Sequence, residues 1–130
     1  MQNKIVLASK SKVRKEILDK HKILCEVKPS NVDEDNVKKT LIKELASPKI
    51  ISKNLAELKA NKVSLKKTNE IVLGADSVID LNGELISKPE NREEALTILK
   101  KLNNKNTRNI FKQCQIKLFL LPRVKLEKKY

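Results

Sequence analysis

Glycine occurs twice in 130 residues, aromatic residues make up 2%, and there is no tryptophan. With so little glycine a Gly-rich phosphate loop has no material. Neither GxGxxG nor GxxxxGK[ST] occurs, which leaves a dinucleotide-binding fold or a P-loop without support. The shortage of aromatics removes the stacking platforms on which single-strand nucleic-acid binders rely. Two cysteines, Cys25 and Cys114, stand far apart without CxxC or histidine spacing. Neither a disulfide framework nor a zinc site is expected, and both read as buried thiols. The single histidine, His21, sits in the polar stretch Asp19–Lys22 with no nucleophile or metal-ligand pattern around it, and reads as an exposed turn residue. No apolar run approaches the ~20 residues of a membrane span. The apolar stretch after Lys4 is too short for a signal peptide, so the expected address is the cytoplasm, with no membrane partner.

What is abundant is positive charge, +13 in formal net charge. Its location matters more than its sign. Residues 1–100 carry 20 Lys+Arg against 15 Asp+Glu, whereas residues 101–130 carry 9 against 1. In the first hundred residues the signs interleave, as at Lys12, Arg14, Lys15, Glu16, Asp19 and Lys20, the texture of a solvated helix face. Concentration of the excess in the tail, together with the lack of aromatics, does not favour nucleic acid as a partner. The length suits one domain, able to bury roughly two-thirds of the surface its unfolded chain exposes.

Hydrophobic spacing predicts alternating strands and helices. Lys4–Ala8 reads as a strand buried on both faces, Lys12–Lys20 as a helix capped by Ser9 or Ser11, and Ile23–Val27 as a second strand. Pro29-Ser30-Asn31 breaks the chain, and the acidic cluster Asp33-Glu34-Asp35 opens a helix through Val37, Leu41, Ile42 and Leu45. Ser47-Pro48 is a strong helix start, followed by Ile51, Leu55, Leu58 and Lys62 at helical spacing. Glu70–Asp76 predicts a strand with Asp76 at its carboxyl end, the edge where open α/β sheets bind ligands. Val78–Leu81, Asn82-Gly83 and Glu84–Ile86 form a hairpin around a type I′ turn. A helix follows from Arg92 to about Lys101, and Gln115–Leu121 is a further strand candidate.

Polar groups with chemical potential gather at element ends: Ser9, Ser11 and Arg14 after the first strand, Glu34 after the second, Asp76 after the third, and Lys88 after the hairpin. Hydroxyls, exposed amides and the two cations suit anion recognition, while Glu34 and Asp76 are hard oxygen ligands of the kind Mg²⁺ takes. Each also has a structural role open to it: the serines as caps, Arg14 on a solvated face, Glu34 as a first-turn acid favoured by the helix dipole. Asp76 is the hardest to explain structurally, because a carboxylate directly after Val72-Leu73-Gly74-Ala75 is costly to bury without a partner.

These same residues resemble the Maf, or septum-formation-inhibitor, family of nucleoside triphosphate pyrophosphatases. Leu7-Ala8-Ser9-Lys10-Ser11-Lys12-Val13-Arg14-Lys15-Glu16-Ile17-Leu18 is similar to the motif LASxSPRRxELL, and Val32-Asp33-Glu34 to the family's acidic motif. Leu55–Ala60 is similar to LAxxKA, Gly74–Val78 to GADTVV, and Gly83–Pro89 to GxILGKP. The resemblance implies an α/β fold of the Maf and inosine-triphosphatase type, a mixed sheet flanked by helices, with its C-terminal part missing here. It implies hydrolysis of a nucleoside triphosphate to the monophosphate and pyrophosphate with a divalent metal, Mg²⁺ or Mn²⁺. Asp76 would be the general base or metal-linked carboxylate and Glu34 a metal-site carboxylate. Arg14, Lys59 and Lys88 would hold the triphosphate, with Ser9 and Ser11 lining the phosphate loop. Ser77 tilts the expected substrate towards dTTP or UTP rather than 7-methyl-GTP.

The sequence departs from that pattern in two places. Lys12 stands where the motif has proline, and Val13 where it has its first arginine, a position tied to substrate choice; Val13 and Ser77 are therefore the specificity candidates. Residues 1–105 read as the Maf-like portion carrying the active-site motifs, and 106–130 as a basic, atypical tail. A shifted reading frame near Asn106 is one origin for that tail, since Thr107–Cys114 can be encoded so that the next frame yields His-Glu-Ile-Phe-Leu-Ser-Ser-Val. Two rivals stand beside the enzyme: an inactive truncated fragment of it, and a small basic nucleic-acid-binding module. A homodimer is left open.

Overall fold

The computed structural model describes residues 4–67, 70–103 and 114–122, the last as a backbone strand. Element order is β1 (Ile5–Leu7), α1 (Lys12–Lys20), β2 (Cys25–Val27), α2 (Glu34–Lys43), α3 (Pro48–Ser64), β3 (Ile71–Leu81), β4 (Glu84–Ile86), α4 (Arg92–Asn103) and β5 (Cys114–Pro122). The result is a mixed α/β fold. Helices start where side chains can take up free backbone amides: Ser11 accepts from the Arg14 N–H, Asp33 from Asn36 and Ser47 from Ile50, with Pro48 in the first turn of α3. At the β3–β4 turn Asn82 and Gly83 both have positive φ, 51° and 89°, as the type I′ turn requires.

Strand β1 pairs in parallel with β2 and with β3, in register Leu7↔Leu73. Strand β4 runs antiparallel to β3 from Leu81↔Glu84 to Ile79↔Ile86. Strand β5 runs antiparallel along β3 from Ile71↔Pro122 to Ile79↔Cys114. Both β1 and β5 use Ile71–Leu73, and both β4 and β5 use Ile79. A strand has only two edges, so β1 and β4 share one edge of β3 and β5 takes the other. Between them, Gly74–Val78 has neither β1 nor β4 beside it.

This arrangement corrects one expectation. Asp76 is not at the end of its strand but near the middle of an 11-residue one. The segment Gly74–Val78 contains no breaker, and pairing with β5 continues through it, so the backbone stays extended. The edge that ends at this point belongs to the neighbour, β1, and Asp76 still lies beside the carboxyl end of a parallel strand.

The core lies between β1, β3 and α3. Successive side chains of a strand alternate faces. Val6, Ala8 and Val72 cluster with Ala60 and Val63 of α3, while Leu7, Leu73 and Ala75 border a pocket beneath α1. Gly74 is required where it stands: a Cβ there would lie 2.1 Å from the Ala56 carbonyl oxygen and 2.8 Å from the Ala60 Cβ. The lack of a side chain lets α3 lie directly on β3. Leu55, Ala56 and Ala60 are fully buried along the helix stripe that makes this contact. Leu58, at the same apolar spacing in the sequence, is instead 41% exposed. Cys25 is a half-buried free thiol and His21 an exposed cap residue at the end of α1. No described helix is long and apolar enough to cross a membrane.

Candidate active site

A cleft of about 330 Å³ opens where Gly74–Val78 lacks a neighbour on one edge, walled by the N-terminal ends of α1 and α2 and the segment following β4. Ser9, Ser11, Arg14, Glu34, Lys59, Asp76, Ser77 and Lys88 all line it. Residues far apart in sequence thus meet through the sheet topology. Val13 does not. It is 62% exposed and borders an adjoining apolar pocket with Leu7, Ile17 and Leu73, which shares Ser11, Arg14 and Ser77 with the cleft.

On the α3 side of β3, the Lys59 ammonium lies between two carboxylates, 3.0 Å from Asp76 Oδ1 and 2.9 Å from Glu34 Oε1. The Lys59 and Asp76 side chains are only 7% and 6% exposed. A charge taken this far out of water needs its partner, so each side chain depends on the other being there. Helix α3 supplies the pairing. Ser52 and Lys59 are two turns apart on one helix face, and Ser52 Oγ donates to the Asp76 carbonyl oxygen at 3.3 Å. Glu34 is brought in by the loop before α2, which Lys62 ties down by donating to the Asn31 carbonyl at 2.7 Å. The second carboxylate oxygen, Asp76 Oδ2, is buried with no hydrogen-bond partner.

On the other side of β3, Arg14 spreads its guanidinium between two hydroxyls, Nη1 to Ser9 Oγ at 3.1 Å and Nη2 to Ser77 Oγ at 3.2 Å. Ser9 Oγ also accepts from the Ser11 N–H at 3.1 Å. Both partners of Arg14 are neutral, so its charge is available to a ligand. Ser11 thus caps α1, and Ser9 ties the turn before the helix to Arg14 at the edge of the cleft.

Asp76 and Glu34 fit a hard divalent cation by donor chemistry, and the buried, unpartnered Asp76 Oδ2 is an oxygen in want of a proton or a cation. Among the described residues no group of three or more His, Cys, Asp or Glu side chains converges. One or two carboxylates completed by substrate phosphates and water is the usual environment of Mg²⁺. The cleft also contains residues that sequence patterns did not single out: Lys10, Ser30, Asn31, Lys38 and Ser87. Lys38 stands four residues after Glu34 on α2, a spacing that could have signalled a shared face.

The profile of the Maf-like protein family matches residues 4–116. The chain belongs to the Maf-like family. It is 63% identical over 114 residues to a nucleoside triphosphate pyrophosphatase of Pelagibacter ubique, covering 88% of this chain and 58% of that protein. A nucleoside triphosphate pyrophosphatase of Ruegeria sp. is 43% identical over 105 residues, or 81% of this chain and 53% of the relative. A dTTP/UTP pyrophosphatase of Pyrococcus furiosus is 34% identical over 113 residues, or 87% and 56%. The chain thus spans little more than half the length of the curated relatives it matches. In this Maf-like chain all five motifs of the sequence border one cleft, LAxxKA through Lys59 of α3.

Proposed function

We propose that this cleft hydrolyses a nucleoside triphosphate to the monophosphate and pyrophosphate. The observation that carries the proposal is Asp76: a buried carboxylate with one oxygen held by Lys59 and the other unpartnered, facing a cleft otherwise rich in cations. Asp76 Oδ2 takes the proton of the attacking water. The water oxygen bonds to phosphorus as the α–β anhydride breaks, and pyrophosphate leaves. Lys59 holds Oδ1 at 3.0 Å and so fixes the orientation in which Oδ2 is presented. Arg14 and Lys88 offset charge on the phosphate oxygens as the bond breaks, and Ser9 and Ser11 orient the chain of phosphates. Glu34 and Asp76 are the residues that would hold Mg²⁺ or Mn²⁺. When bound, such an ion shields phosphate charge and lowers the pKa of water.

The substrate class is a pyrimidine nucleoside triphosphate, dTTP or UTP. Ser77 in the Gly-Ala-Asp-Ser segment, hydrogen-bonded to Arg14, supports this, as does the similarity to the dTTP/UTP pyrophosphatase of Pyrococcus furiosus. Val13 would act on specificity only indirectly, through the packing of α1 that positions Arg14. The experiment is pyrophosphate release from dTTP, UTP and 7-methyl-GTP with Mg²⁺, comparing the chain with Asp76→Asn. Release that falls at least a hundredfold in the variant is the expected outcome. Equal release by both proteins would remove Asp76 from the chemistry. A folded chain that binds nucleotide without releasing pyrophosphate would make it an inactive fragment of the family's enzyme.

A further inference from the structure

Helix α2 carries Glu34 and Lys38 four residues apart, with the acid N-terminal, which is the favourable order for an ion pair on a helix. Helix α1 makes an ion pair at the same spacing even in the reverse order, Lys15 with Asp19. In α2 the pair is not made: the Glu34 carboxylate is engaged by Lys59 at 2.9 Å, and Lys38 has no ion pair or hydrogen bond among the described residues. Lys38 is half-buried and borders the cleft. A partly desolvated ammonium deprived of its natural partner is stabilised by an anion entering that space.

From this displaced pair we propose that Lys38 is a polyphosphate-binding residue, on the α2 wall of the cleft, which reads the presence of more than one phosphate. The assignment rests on the nucleotide reading of the cleft and adds to it. Among the described residues, five basic side chains border the cleft: Lys10, Arg14, Lys38, Lys59 and Lys88. Lys59 is committed to two carboxylates. Arg14 emerges with Ser9 and Ser11 from the α1 wall and Lys88 from the segment after β4. Lys38 is the basic residue that α2 contributes, one helical turn beyond Glu34. A ligand with one phosphate satisfies the α1 wall; one with a chain of phosphates has charge to spare for a second wall. Discrimination between tri- and monophosphate follows from that second contact.

The test is titration calorimetry of the whole chain, wild type, Lys38→Gln and Lys38→Arg, with α,β-imido-dUTP and with UMP, in the presence and absence of Mg²⁺. The α,β-imido bridge blocks cleavage, so binding is read without turnover. Loss of one charge-assisted contact to phosphate corresponds to about a tenfold weakening. Lys38→Gln is expected to weaken the imido analogue about tenfold and UMP less than about twofold, with Lys38→Arg restoring most of the loss. Thermal unfolding of Lys38→Gln is expected to match wild type, because Lys38 has no partner to lose. Wild-type binding with unchanged affinity in Lys38→Gln overturns the assignment alone. Equal weakening of both ligands overturns the polyphosphate role. No binding of the analogue by wild type overturns the nucleotide reading of the cleft and this assignment with it.

Discussion

Adjacent residues of β3, Asp76 and Ser77, send their side chains to opposite faces of the sheet and into opposite physical regimes. Towards α3, Asp76 meets a buried lysine in a charge pair with almost no water. Towards α1, Ser77 is exposed and shares Arg14 with Ser9 through neutral acceptors. The α3 face has closely paired charge; the α1 face has an apolar pocket of about 380 Å³ beside it and bonds that water can replace. This arrangement keeps the Asp76 carboxylate in one place while leaving the Arg14 guanidinium free to adjust. The price is stability concentrated on one face.

The largest expected effect follows from removing one partner of the buried pair. Lys59→Met leaves the buried Asp76 carboxyl without its partner, and the cost of breaking such a pair is about 3–5 kcal/mol. Ser77→Ala, on the other face, removes an exposed hydrogen bond and is expected to cost about 1 kcal/mol or less. Urea unfolding of both variants measures the contrast directly. Adding Asp76→Asn to Lys59→Met removes the unpaired carboxyl and is expected to recover much of the loss. A Lys59→Met variant no less stable than Ser77→Ala would show that the two faces do not differ in this way.

A smaller effect tests the packing that makes the pair possible. Gly74→Ala places a methyl against the Ala56 carbonyl, a backbone atom that cannot swing aside. Either α3 lifts or β3 bends, and overpacking of this kind costs about 1–3 kcal/mol. Because Lys59 rides on the same helix, pyrophosphate release is expected to fall together with the urea midpoint. An unchanged midpoint would mean that the contact between α3 and β3 can relax without cost.

Local chemistry was legible wherever it decided the structure by itself. Asn82-Gly83 specifies its turn through positive φ, Ser47-Pro48 starts α3, and Asp33 caps α2, all within a few residues. The long β3 was not legible, because Gly74 and Asp76 resemble a strand end and only pairing with β5 carries the backbone past them. Eight of the nine candidate residues border the cleft: Ser9, Ser11, Glu34 and Lys88 lie at or beside element ends, whereas Asp76, Ser77 and Lys59 lie within elements and were singled out through the family resemblance or the cost of burying a carboxylate. Val13 falls outside because the face that a residue in the first turn of α1 presents depends on where the helix docks. Lys38 and Lys10 were missed for the converse reason. In sequence they are ordinary members of a lysine-rich chain, and only the diversion of Glu34 to Lys59 distinguishes Lys38.

The smallest effect concerns charge that lies outside the site and tests whether pairing at the surface resembles the buried pair. Glu26 on β2 is surrounded by Lys4 at 3.0 Å, Lys67 at 3.2 Å and Lys28 at 3.5 Å. Hydrogen bonds from Lys4 and then Lys67 hold its carboxyl down from 4.5 to about 2. A carboxyl with a lowered folded-state pKa stabilises the fold above its ordinary pKa, and that contribution is lost as the pH falls towards the folded value. The difference in Tm between wild type and Glu26→Gln is therefore expected to be constant above about pH 4.5 and to shrink as the pH falls towards about 2. Exposure and salt keep it small, and added salt is expected to reduce it further. Thermal scans across that window, with and without salt, separate the two kinds of pairing. The Lys59–Asp76 contribution is shielded from solvent and is expected to survive salt that removes most of the Glu26 effect; equal salt sensitivity in the Lys59→Met and Glu26→Gln series would mean that the buried face is wetter than its geometry implies.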